Sequence, residues 1–101
     1  MSGDPEPLVV VKAPERHRYE VRVGADCAYL EYRDSPSGAL VLEHTEVPAA
    51  FEGRGVGGRL VKAALDEARA ENRHVIPECP FAYSYIKRHP EYEPLLHPEY
   101  R

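Results

Sequence analysis

Apolar and polar residues alternate from Tyr19 to Val23, a second strand-length run follows at Cys27 to Arg33, and from Val56 onward the apolar positions recur three and four apart. The chain therefore changes from strand period to helix period near its middle. Tyr19, Val21 and Val23 share one face of a first strand, a turn at Gly24-Ala25-Asp26 reverses the chain, and Cys27 to Arg33 returns as a hairpin partner. Asp34-Ser35-Pro36-Ser37-Gly38 concentrates turn formers ahead of a third strand, Ala39 to Val47, which Pro48 closes. Unbroken alternation in that strand puts Leu40, Leu42, His44 and Glu46 on one face and Val41, Glu43, Thr45 and Val47 on the other.

A helix is predicted from about Val56 to Glu71, with Val56, Leu60, Val61, Ala64, Leu65 and Ala68 as the stripe that packs on the sheet. His74-Val75-Ile76 then reads as a buried strand parallel to the third, and Pro80 suits the first turn of a second helix, Phe81 to Arg88. His89 to Arg101 reads as a proline-broken tail. Residues 1–15, with Pro5, Pro7 and Pro14, read as a flexible arm in which Val9 to Val11 could supply an edge strand. Residues 16–101 form the single domain, of class α+β.

With 101 residues the chain has room for one core and no second domain. A net charge of −4 gives no general attraction to nucleic acid or to an anionic membrane, so any anion must be bound locally. No apolar run approaches the ~20 residues that span a bilayer. Two cysteines without a secretory leader pattern point to reduced thiols and a cytoplasmic location. The histidines show no metal-ligand spacing with the cysteines, and no metal is expected.

The chemistry gathers at Glu52-Gly53-Arg54-Gly55-Val56-Gly57-Gly58, a glycine-dense loop running into the long helix. Such a loop lets backbone N–H groups approach a phosphate, with the unpaired donors and positive dipole end of the helix behind them. Gly53, Gly55 and Gly58 formally satisfy a dinucleotide fingerprint, with Glu78 about twenty residues on. A dinucleotide fold, however, needs the glycine turn after its first strand and a long parallel sheet beyond it. A nucleotide triphosphate loop needs Lys-Ser/Thr where Arg59-Leu60 stand. A glycine-rich helix start that binds nothing is the remaining alternative.

Antiparallel meander, glycine loop, long helix, parallel strand and short C-terminal helix (α/β/α in order along the chain) together resemble the GNAT acetyltransferases. The family loop, Arg/Gln-x-x-Gly-x-Gly/Ala, corresponds to Glu52-Gly53-Arg54-Gly55-Val56-Gly57, with Glu52 in place of the cationic or amide residue. His44-Thr45-Glu46-Val47-Pro48, Cys79-Pro80-Phe81 and Arg88-His89-Pro90-Glu91-Tyr92 are further similar to the minimal stand-alone GNAT-like proteins of about this length. The resemblance implies that Gly53, Arg54, Gly55, Val56, Gly57 and Gly58, with Glu52 at the loop entrance, hold the pyrophosphate of acetyl-coenzyme A. It also implies that backbone near Glu46 and Val47 aligns the pantetheine arm.

Four side chains are candidates for the reaction. Cys79, extended ahead of Pro80 at a helix start where a dipole favours thiolate, is either an acyl carrier or an inert thiol. Tyr85 resembles the family tyrosine that protonates the departing thiolate, with ordinary packing as the alternative. His44 and Glu46 could accept the amine proton or simply be solvated. The leading expectation is an acetyl-coenzyme A-dependent N-acetyltransferase acting on an unidentified amine. A coenzyme A-binding module with little catalysis and a purely structural domain are the alternatives. Nothing in the sequence argues for nucleic-acid or membrane partners or fixes an oligomeric state.

Overall fold

The computed structural model describes residues 8–100. Five strands, β1 (Val11–Ala13), β2 (Arg18–Val23), β3 (Asp26–Asp34), β4 (Leu40–Glu46) and β5 (Val75–Pro77), lie in one sheet in chain order. The first four pair antiparallel, and β5 pairs parallel to β4. Helix α1 (Val56–Ala70) makes the crossover between β4 and β5, and α2 (Pro80–Arg88) follows β5. Of the arm expected over residues 1–15, the first seven lie outside the described residues, while Val11–Ala13 is the edge strand β1.

The hairpin β2–β3 closes on two residues, Gly24 and Ala25, between the paired ends Val23 and Asp26. Gly24 takes φ 59°, as tight hairpin turns require and glycine permits. Tyr19, Val21, Ala28, Leu30, Tyr32, Leu40 and Leu42 form the apolar face of the sheet, all buried in one cluster. Helix α1 meets it with Val56, Leu60, Val61, Ala64, Leu65 and Ala68, the stripe that the 3.6-residue period predicts. Helix α2 adds Ala82, Tyr85 and Ile86 to the same cluster and lies against the start of α1, so both helices share one face. Residues 90–95 form a 3-10 turn that buries Tyr92 against α1, and Leu96 then bridges to Val75. The tail thus closes the outer edge of β5, with His97 N–H donating to the Val75 carbonyl at 2.9 Å.

Register along β3–β4 corrects the expected faces of β4. Tyr32 pairs with Leu42, but Glu31 pairs with His44, leaving Glu43 as an extra residue in a β-bulge. Leu30 and Tyr32 share a face, and their partners Thr45 and Leu42 share it with them. Beyond the bulge Thr45 therefore turns to the helix side, where Val47 also packs against the core. His44 and Glu46 keep a common face, opposite to that of Leu40 and Leu42.

The sheet face away from the helices is mainly polar, although Val41 is buried on it. Among the described residues its one buried charge is Glu20, 3% exposed, which takes hydrogen bonds from Arg16 and Arg22 and an ion pair from Arg18. The guanidinium of Arg18 also stacks over Tyr29 at 3.8 Å. Arg33 bridges Glu43 and Glu78 across β3, β4 and the end of β5.

Candidate functional site

After Glu46 the chain passes through a 3-10 turn at Ala49–Phe51, whose buried Phe51 anchors it, into the glycine loop. Gly53 and Gly55 hold φ 75° and 69°, the left-handed region that side chains resist, and Gly55 is the N-cap of α1. No side chain caps this helix start, and no acidic residue sits in its first turn. Among the described residues, the first-turn N–H groups and the dipole's positive end thus have no capping side chain and no first-turn carboxylate to neutralise them. A Cβ at Gly53 or Gly55 would meet no atom within 4 Å, so the loop surface is open to a ligand.

The next two glycines have another reason to be there. A Cβ at Gly57 would lie 2.7 Å from the ring of Phe81, and one at Gly58 would lie 3.3 Å from the ring of Tyr85. Bare backbone at the start of α1 is what lets α2 approach. One pair of glycines therefore shapes the loop and the other docks the candidate acid beside it. Among the cations, Lys62 is tied to Asp66 at 2.8 Å and Arg59 reaches the Leu8 carbonyl at 3.5 Å. Arg54, half-buried between the two left-handed glycines, has no ion pair among the described residues. Glu52 is exposed at the loop entrance.

Strand β4 offers a second binding element. Its pairing with β5 ends at Leu42 opposite Pro77, because proline brings no N–H and the chain turns into α2. Cys79 N–H donates the last bond, to the Leu42 carbonyl at 2.9 Å. From Glu43 to Glu46, β4 has no strand beside it on that side among the described residues. The gap opens between the bulge and the start of α2, and the glycine loop follows from its far end.

Cys79 caps α2 in an extended conformation, φ −77° and ψ 122°, ahead of Pro80 at N1. It is 5% exposed, and its Sγ lies 3.3 Å from Thr45 Oγ1, a contact created by the bulge. Tyr85 lies nearly two turns further along α2. Burial is the first reason that its phenol is pushed above the ordinary tyrosine range; nearby Lys62 opposes this, while Asp66 adds to it. The phenol therefore keeps its proton at neutral pH. Asp66 is itself held low by hydrogen bonds from Lys62 and the Tyr92 hydroxyl, which outweigh its burial.

His44 and Glu46 stand apart from these groups. The imidazole Nε2 and the Glu46 carboxylate are 3.1 Å apart, both side chains more than half exposed, with Tyr29 packed at 6.3 Å from the imidazole. The structure thus brings the glycine loop, Tyr85 and Cys79 together on the helix side and leaves His44 and Glu46 across the sheet. Thr45 and His89 were not legible as site residues. A bulge leaves no mark in the alternation of β4, and nothing in the local sequence of His89 sets its ring on Tyr85. No helix among the described residues is long and apolar enough to cross a membrane.

Comparison with known proteins places these features in a family context. Residues 18–95 match the model of the GCN5-related N-acetyl-transferase family. Protein NATD1 of Gallus gallus is 34% identical over 93 residues, covering 90% of this chain and 84% of that protein. Protein NATD1 of Homo sapiens is 35% identical over 86 residues, covering 83% of this chain and 76% of its own. The solution structure of a GCN5-like protein from Staphylococcus aureus superposes with a TM-score of 0.72 over 89% of this chain and 88% of that one. At 24% identity it speaks to the fold alone.

Proposed function

The chain belongs to the GCN5-related N-acetyltransferase family, and from that premise we propose that it transfers an acetyl group from acetyl-coenzyme A to an amine. The observation that carries this reading is the open, uncapped start of α1, with two left-handed glycines and Arg54, beside the stretch of β4 that has no strand on its β5 side among the described residues. Those residues fit the cosubstrate. The N–H groups of Val56, Gly57 and Gly58 and the Arg54 guanidinium would hold the pyrophosphate, Gly53 and Gly55 would keep the backbone accessible, and Glu52 would point to water. The free stretch of β4 ending at Val47 would align the pantetheine arm by strand-like hydrogen bonds.

When bound, acetyl-coenzyme A supplies an activated thioester. The protein's own groups would then do three things. Tyr85, protonated and next to the loop, is the proton donor for the departing sulfur. Glu46, bonded to His44, is the exposed carboxylate through which the incoming amine can lose its proton to solvent or imidazole. Cys79, buried and hydrogen-bonded to Thr45, bounds the cleft. A direct transfer suits its burial better than a relay in which it carries the acetyl group.

Isothermal titration with acetyl-coenzyme A, followed by thiol-release assays over polyamines, peptides and aminoglycosides, tests the proposal. Binding with transfer to at least one class is expected, and Tyr85→Phe should lower kcat about 100-fold or more. Acetylated Cys79 in quenched intact-mass spectra would replace the direct route by the relay. Tight binding with no transfer to any acceptor would make the protein a coenzyme A-binding module, a reading that the separation of Glu46 from Tyr85 favours. No binding at millimolar acetyl-coenzyme A would defeat both.

A further inference from the structure

The segment Arg88-His89-Pro90-Glu91-Tyr92 takes no part in the reaction as outlined, yet it encloses the candidate proton donor. His89 ends α2. Its backbone, φ −127° and ψ 77°, leaves the helix because Pro90 follows and disfavours a helical conformation before it. The carbonyl of Tyr85 lies in the last turn, where intrahelical donors run out. The His89 side chain folds back onto it, Nδ1–H donating at 2.8 Å; the proton must be on Nδ1, since a carbonyl only accepts.

That bond carries the imidazole onto the phenol. The two rings stack with centroids 3.9 Å apart and planes 20° apart, while the edge carbons of the same phenol rest on Gly58. Tyr92 locks the arrangement from beyond: its N–H donates to the His89 carbonyl at 2.9 Å and its hydroxyl to Asp66 on α1 at 2.8 Å. The phenol of Tyr85 is thus held edge-on by α1 and face-on by His89.

We propose that His89 is a positioning residue for the Tyr85 phenol, fixing its ring by the face-to-face stack and the backbone bond so that the hydroxyl is aimed before substrate binds. This rests on the reading of Tyr85 as the proton donor. A proton donor that must reach a leaving group gains most when its orientation is set in advance, and misplacement by about 1 Å costs as much as ~100-fold.

The test is a kinetic double-mutant cycle on the full chain, with acetyl-coenzyme A and the most active amine of the acceptor panel, using wild type, His89→Ala, Tyr85→Phe and the double variant. His89→Ala is expected to lower kcat about tenfold with KM for acetyl-coenzyme A within about twofold of wild type. In the Tyr85→Phe background the same change should cost less than about twofold, because there is no hydroxyl left to aim. His89→Phe, which keeps a ring on the phenol, should recover part of the loss. In parallel, NMR of ring-labelled tyrosine should show the Tyr85 ring protons losing the ring-current shift of the stacked imidazole in His89→Ala.

Losses that add in the double variant, or a His89→Ala enzyme with wild-type kcat, overturn the proposal, as does a Tyr85 ring signal that does not move. A wild-type protein that transfers nothing to any acceptor overturns the reading beneath it, and the proposal with it. Transfer that survives undiminished in Tyr85→Phe does the same, so the two failures are distinguishable.

Discussion

The two faces of the sheet hold themselves together by different physics. On the helix side, Leu30, Leu42, Leu60 and Leu65 are fully buried, and the candidate site elements are set by backbone: left-handed glycines, a bulge, a proline-ended strand and a helix cap. On the other side, Glu20 with its arginines and Arg33 with its two glutamates make ion pairs, and His44 with Glu46 makes a polar pair, most of them open to water. Geometry on the first face is enforced by close packing, which tolerates little change in volume. Geometry on the second depends on ion pairs that solvent weakens. A site that must hold several groups in register belongs on the first.

That contrast can be broken in order of size. Leu60→Ala, at a position where α1 presses on the sheet, should cost about 2–5 kcal/mol in chemical denaturation, since the cavity cannot collapse between rigid layers. A loss below about 1 kcal/mol would mean that the helix face is not the tightly packed one. Glu20 comes next. Hydrogen bonds from Arg16, more than its burial, decide its charge, and the carboxyl falls from an ordinary 4.5 to about 2.

Its folded-state value lies below its unfolded one, so its stabilisation is complete above the ordinary carboxylate range and drains away as pH falls from 4.5 towards about 2. Because Arg16 and Arg22 are themselves about half exposed, the amount is about 1–2 kcal/mol. Denaturation midpoints measured through the acid range should fall there in wild type and fall less in Glu20→Gln.

Gly55→Ala probes the loop directly. Forcing a side chain into the left-handed region costs about 1–2 kcal/mol, although the Cβ itself meets nothing. Stability and acetyl-coenzyme A affinity should fall together, and an unchanged titration would remove the loop from the binding site. The smallest effect is expected from His44→Ala, whose bond to Glu46 is exposed on both sides and worth less than about 0.5 kcal/mol. A larger loss of stability would make the polar face structural, and a loss of kcat alone would make it chemical.

Much of the fold was legible because single segments carry it. The period of 2 in β2 and β3, the stripe of α1, the turn at 34–38 and Pro80 at the start of α2 each follow from local sterics and burial. The site was legible only in part. The glycine loop announced itself, but Gly57 and Gly58 looked like more of the same loop, whereas their hydrogens make room for Phe81 and Tyr85. Alternation alone puts His44 and Glu46 on the face of Leu42 because it assumes an unbroken ladder, and the bulge at Glu43 reverses that.

What the sequence by itself determined is therefore the order and type of elements, the apolar stripe and the presence of a glycine loop at the start of α1, all properties of residues near one another in the chain. The tertiary structure alone decided which side of β4 Thr45 faces, that Cys79 meets it, and that His89 lies on Tyr85. Those outcomes depend on one extra residue in a strand pairing and on two helices meeting at bare backbone. Neither is encoded in any single segment; each is settled only when separate segments compete for the same space.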